Sequence, residues 1–182
     1  MKKKIFTFAL LLMIFAGNLS AEKTARFSEQ HGNTLNLGLG IGGYSGYYGY
    51  IGHSLPVVHI NYEFDVANNF TLAPFLTLYS YRDYYNNHYY RETVIPVGVK
   101  GTIYLDQLLN AGSRWDFYVA GSLGFAIINR SWDDENYYGE GYHETSPLFF
   151  DAHVGTEYRL SRNTGLFLDL SNGVSTIGLA FH

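Results

Sequence analysis

Histidine stands four residues from a carboxylate at His59 and Glu63, and two residues from one at His153 and Asp151. Either pair could pass a proton or hold a metal ion. Lys100, Asp116, Glu157, Arg159, Asp65 and Asp169 add further charge along the chain. Two other segments carry the spacing of known chemistry. Gly38-Leu39-Gly40-Ile41-Gly42-Gly43 has the letters of a dinucleotide fingerprint, which needs a helix after the glycines to meet the pyrophosphate. The next residues, Tyr44-Ser45-Gly46-Tyr47-Tyr48, form no helix, so the glycines are read as strand residues. Asp133-Asp134-Glu135 is an acidic run whose spacing fits no defined calcium loop. There is no cysteine, hence no thiolate chemistry and no disulfide.

The elements that must position these groups are strands. Val58, Ile60, Tyr62, Phe64 and Val66 alternate with His59, Asn61, Glu63 and Asp65. A period of two puts one set on each face of a β-strand. The pattern recurs and predicts strands over 34–43, 56–66, 70–81, 92–104, 115–128, 148–159, 164–170 and 174–181. Pro74 and Pro96 each remove a ladder donor, so a bulge or break is expected at both. Short connections at 67–69 and 161–163 alternate with long ones at 44–55, 82–91 and 129–147. This is the pattern of an all-β, eight-stranded antiparallel transmembrane up-and-down β-barrel.

The chain begins as an exported one would. Lys2, Lys3 and Lys4 precede an apolar run from Ile5 to Phe15, and Ala21 offers a small residue for cleavage. Residues 1–21 are read as a signal peptide, 22–33 as an N-terminal periplasmic segment and 34–182 as the barrel. Removing the three leader lysines leaves 9 Lys+Arg against 16 Asp+Glu, a net charge of −7 that argues against nucleic acid. Only 15% of residues are charged, where a soluble domain carries about 25%. The 17 Tyr and 20 Gly fit strands that meet lipid with aromatic girdles.

A soluble barrel with its apolar face inside would show the same period. The minor face decides between the two. It reads Asn36, Gly38, Gly40, Gly42 in the first strand and Ala120, Ser122, Gly124, Ala126 in the fifth. Small residues suit the crowded interior of eight strands better than a water-facing surface. The apolar set therefore faces lipid. The inward set, His59, Glu63, Lys100, Asp116, Asp151, His153, Glu157 and Arg159, forms a polar filling that must pair its charges.

Ile95-Pro96-Val97-Gly98-Val99-Lys100, Phe117 to Gly124, Gly155 to Ser161 and Ile177-Gly178-Leu179-Ala180-Phe181 resemble the small outer-membrane β-barrel proteins of the OmpA/OmpX type, porin-like barrels of Gram-negative bacteria. The resemblance covers the whole mature chain with motifs general to the class. It implies an integral outer-membrane location, periplasmic termini, extracellular loops, surrounding lipid and lipopolysaccharide, and insertion by the barrel-assembly machinery. Members usually end on an aromatic residue read by that machinery; here Phe181 is followed by His182.

Two enzyme classes with such barrels act on lipid A, as acyltransferases and deacylases. The deacylases place His two residues before a Ser-Asn pair. This chain reads Asp169-Leu170-Ser171-Asn172, so the base is missing. The expectation is a non-enzymatic protein without a cofactor or metal. It acts as an envelope structural or surface-interaction protein, with a lipid A-modifying enzyme and a narrow channel as alternatives. Its long connections are crowded with aromatics, and Tyr47, Tyr85, Trp132 and Tyr138 are the candidate contacts for an extracellular ligand.

Overall fold

The structure, a computed structural model, describes residues 33–44, 57–85, 88–105, 114–132 and 148–182. The expected leader and most of the segment after it lie outside the described residues. Eight strands succeed one another: β1 (Thr34–Gly42), β2 (Val57–Ala67), β3 (Phe70–Tyr85), β4 (His88–Tyr104), β5 (Trp115–Trp132), β6 (Leu148–Arg159), β7 (Thr164–Ser171) and β8 (Val174–Phe181). Each pairs antiparallel with its sequence neighbours, and β8 returns to β1 to close the barrel. The closing seam runs from Leu35↔Phe181 to Gly42↔Val174.

Burial follows the alternation along the strands and lapses at the rim, at Asp65. Leu37, Leu39, Val58, Ile60, Leu76, Leu123, Phe150, Val154, Ile177 and Leu179 are exposed on the outer wall. Asn36, Asn61, Glu63, Lys100, Asp116, Asp151, Glu157 and Asp169 are buried inside. A wall whose outside is apolar and whose inside is charged is stable only with hydrocarbon around it. Near the end that carries Thr34, Trp115 stacks on Phe117 (6.0 Å between centroids) and meets Tyr158 at 4.8 Å, the start of an interfacial girdle.

The lumen is narrow, and glycine makes room in it. Gly38 faces Gly178 across the β1–β8 seam, and Gly98 faces Gly124 across β4–β5. A Cβ on Gly38 would stand 3.0 Å from the ring of Phe167; on Gly98, 2.9 Å from Phe75; on Gly124, 2.8 Å from Phe149. Three phenyl rings thus lie across paired glycines, filling space that any larger residue would contest.

Three strands run four residues past their expected ends. The segment expected as a connection at 82–91 is mostly ladder, with Arg82↔Arg91, Tyr84↔Tyr89 and Tyr85↔His88 paired. β5 likewise continues to Trp132, paired with Tyr90. Tyrosine favours extended backbone, and polar neighbours do not end a strand that has left the lipid. The prolines divide: Pro74 pairs with Val99 without a break, whereas Pro96 falls in the local break expected there. Register between β3 and β4 is the same on both sides of Pro74 and Pro96; pairing lapses only between Leu76↔Val97 and Tyr79↔Val94. The β4–β5 ladder runs unbroken through Pro96↔Ala126 and holds the strand in line. The one register shift in the β2–β3 ladder lies between Asp65 and Ala67, beside a turn in which Asn69 takes φ 56°. Asn tolerates that left-handed conformation.

The outer wall gives a depth-dependent prediction. Leu123→Arg, mid-wall on β5, should cost about 2–4 kcal/mol of barrel stability, and Asn129→Arg, near the rim, about 0–1 kcal/mol. Urea titration in lipid vesicles measures both. Equal costs would mean that this face does not meet hydrocarbon.

Candidate functional site

The chemistry-bearing side chains converge on the lumen. Lys100 is the only lysine after Lys23. Its Nζ lies 3.3 Å from Asp169 Oδ2 on β7 and 3.7 Å from Glu63 Oε1 on β2. Asp169 also accepts from Tyr118 (3.1 Å) and bonds His153 Nδ1 through Oδ1 (2.7 Å). Glu63 accepts from Asn36 (3.0 Å), Thr71 (2.8 Å) and Tyr104 (2.8 Å). One ammonium and two carboxylates thus bind β1 through β7 across the barrel, all three side chains buried in the lumen. A buried charge is tolerable when paired and hydrogen-bonded on this scale.

Two further pairs lie nearer the end that carries Thr34. Arg159 Nε donates to Asp116 Oδ2 at 2.8 Å. His182 bonds Glu157 Oε1 through Nε2 (2.7 Å) and Thr34 Oγ1 through Nδ1 (2.9 Å). Asp65 is exposed at the rim. The opposite, far end of the lumen is mostly aromatic: Tyr44, Val57, Tyr79, Tyr81, Val94, Ala126 and Phe149 form one buried cluster, with the fully buried Glu92 at the same level as Tyr81. The ring of Tyr44 meets Phe149 at 5.2 Å, and Phe75 meets Phe149 at 6.2 Å. Between the cluster and the ion pairs remains a cavity of about 40 Å³, lined by His59, Lys100, Ser122, His153 and Asp169 among others. That is room for ordered water and no more than a very small molecule.

The pairs suggested by chain spacing are not the ones that form. His59 bonds Thr77 (2.8 Å) and Asn61 (3.0 Å) rather than Glu63. His153 bonds Asp169 and Ser122 rather than Asp151, which is buried with its carboxylate against Gly173. Thr77 faces His59 from the adjacent strand β3, Asn61 stands two residues along β2, and His153 reaches the strands on either side of it, β5 and β7. Ser122, Asn36, Thr71, Tyr104, Tyr118 and His182 complete the network, and charge and spacing in the sequence do not single them out. Most stand at inward positions of strands already recognised, so alternation alone could have nominated them. Among the described residues no group of three or more His, Asp or Glu is set to hold a metal ion.

The Asp169-Leu170-Ser171-Asn172 segment does not form a nucleophile facing lipid. Asp169 is held inside by Lys100, Tyr118 and His153. Ser171 Oγ accepts from Gly173 N (2.9 Å), and Asn172 Oδ1 accepts from Ala152 N (2.6 Å). Both side chains tie down a tight turn. Of the candidate ligand contacts, Tyr85 closes β3 and Trp132 closes β5, so both sit at strand ends rather than within loops. Tyr47 and Tyr138 lie outside the described residues.

No family model matches the sequence, and no curated protein matches it. Solved structures do resemble the fold. Neisserial surface protein A superposes with a TM-score of 0.54 at 14% identity, over 81% of this chain and 94% of that one. The attachment invasion locus protein Ail of Yersinia pestis, solved with the heparin analogue sucrose octasulfate, gives 0.50 at 8% identity, over 81% and 94%. The fold is therefore that of the small eight-stranded outer-membrane β-barrels. At such identities the likeness is one of architecture.

The central ion cluster yields a stability prediction. Lys100→Met strands Asp169 and Glu63 without their cation, and breaking a buried pair costs about 3–5 kcal/mol. The urea midpoint of the folded barrel should fall accordingly. A midpoint equal to that of the native chain would show that Lys100 does not hold these strands together.

Proposed function

We propose that this chain is an integral outer-membrane protein that serves as an envelope structural or surface-interaction protein, with its termini periplasmic and its long connections extracellular. The observation that carries the reading is the lumen. It is crossed by ion pairs and closed at the far end by an aromatic cluster, while the outer wall is apolar. A filled barrel offers no wide aqueous path, which disfavours a channel. An inward-held Asp169 and a turn-bound Ser171 disfavour a lipid A deacylase. Lipopolysaccharide and phospholipid surround the wall, and the barrel-assembly machinery inserts it.

Ligand contacts then fall to the far-end connections, with Tyr47, Tyr85, Trp132 and Tyr138 as anchors. Aromatic anchors concentrate binding energy in a few residues. The structure of Ail with a heparin analogue supports surface binding as a use of this fold. The ligand chemistry here differs from a sulfated polymer. Residues 133–147 carry Asp133, Asp134, Glu135, Glu140 and Glu144 with no Lys or Arg, so they would repel a polyanion. Neutral carbohydrate or a protein surface is the better match.

Because Trp132 ends β5, the test removes residues 133–142 alone. The variant should keep heat-modifiable gel migration, since none of the described strands is cut. Whole-cell binding to immobilised glycoprotein should fall about tenfold or more at matched surface abundance, a loss of ~1.4 kcal/mol. Unchanged binding after all long connections are trimmed would leave only the structural role.

A further inference from the structure

Ser122 on β5, His153 on β6 and Asp169 on β7 form a serine–histidine–carboxylate line inside the barrel. Ser122 Oγ lies 3.0 Å from His153 Nε2, and His153 Nδ1 lies 2.7 Å from Asp169 Oδ1. The other oxygen of Asp169 is held by Lys100 (3.3 Å) and Tyr118 (3.1 Å), which leaves Oδ1 to the imidazole. An ionised carboxylate only accepts, so Nδ1 carries a proton toward Asp169, and in the neutral ring Nε2 is then the acceptor. The Ser122 hydroxyl must then donate to Nε2. This is the arrangement that makes a serine nucleophilic: a base within reach, itself oriented by a carboxylate. Ser122, His153 and Asp169 all line the cavity of about 40 Å³, with the Lys100 ammonium on the same wall.

We propose that Ser122 is a covalent modification site, accepting one small acyl or sulfonyl group from an electrophile that reaches the lumen. The proposal goes beyond the surface role and leaves it intact. Acceptance stops after one group. The backbone on both sides of Ser122 is engaged in the ladders to Lys100 and Asp151, so the amide donors that turnover would require are already committed. The cavity sets the size limit, since it admits a methyl-sized substituent and not a ring.

Methanesulfonyl fluoride is the probe. The Ser122 Oγ–S bond forms as the S–F bond breaks; fluoride leaves with the bonding pair. The hydroxyl proton passes to His153 Nε2 and then to water. Peptide mass spectrometry of the folded full chain should find one methanesulfonyl group, on Ser122. The bulkier phenylmethanesulfonyl fluoride should add none. His153→Gln should slow the reaction by about 100-fold or more, the usual contribution of a general base. Unfolding the native chain in urea should abolish the selectivity for Ser122, which tests the geometry even if the variant fails to insert. No adduct on Ser122 in the folded barrel, or equal labelling of Ser122 in folded and unfolded chain, would overturn the proposal.

Discussion

A backbone inside hydrocarbon has no water to bond, so every amide and carbonyl must find a partner in the chain itself. The β1–β8 seam meets that demand here, and the remaining architecture depends on it. Closing a sheet of only eight strands fixes a lumen just wide enough for side chains. Glycine pairs on facing strands open space, and the rings of Phe167, Phe75 and Phe149 occupy it. What cannot be filled with rings is filled with ions, and those must pair because they have left water.

The pairing gives the barrel a second set of ties that the ladder lacks. Ladder bonds join neighbours only. Lys100 joins β4 to β7 and β2, and Tyr118 joins β5 to β7. These chords run across the lumen, so the section is braced in several directions at once. Further ties at the end carrying Thr34, Arg159–Asp116 and His182–Glu157, add bracing where the strands meet water. The far end relies on aromatic packing instead.

Much of this was legible in the sequence, because a strand period of two is a strong signal when one face meets lipid. Strand number, order and the inward set come from it. Strand length was less legible. Alternation of apolar and polar residues ceases where a strand leaves the membrane, so the last four residues of β3 and β5 and the first four of β4 resembled connections. The interior partners were illegible for a different reason. Which inward residues share a depth depends on stagger around the closed barrel, and His59 with Glu63 or His153 with Asp151 are neighbours only along the chain. The Ser122–His153–Asp169 line spans three strands and has no local motif at all.

Strand lengths make the barrel lopsided in height. β3, β4 and β5 have 16, 17 and 18 residues, while β7 and β8 have 8 each. Crossing the hydrocarbon takes about 9–11 residues. The short side therefore ends level with the bilayer, and the tall side rises beyond it as a three-stranded palisade. Tyr89, exposed on β4, stands on that palisade. Surface loops on a level rim all meet a partner at one height; here one flank stands above the other. Among the described residues the tall flank stands farthest from the bilayer, and paired strands set its height.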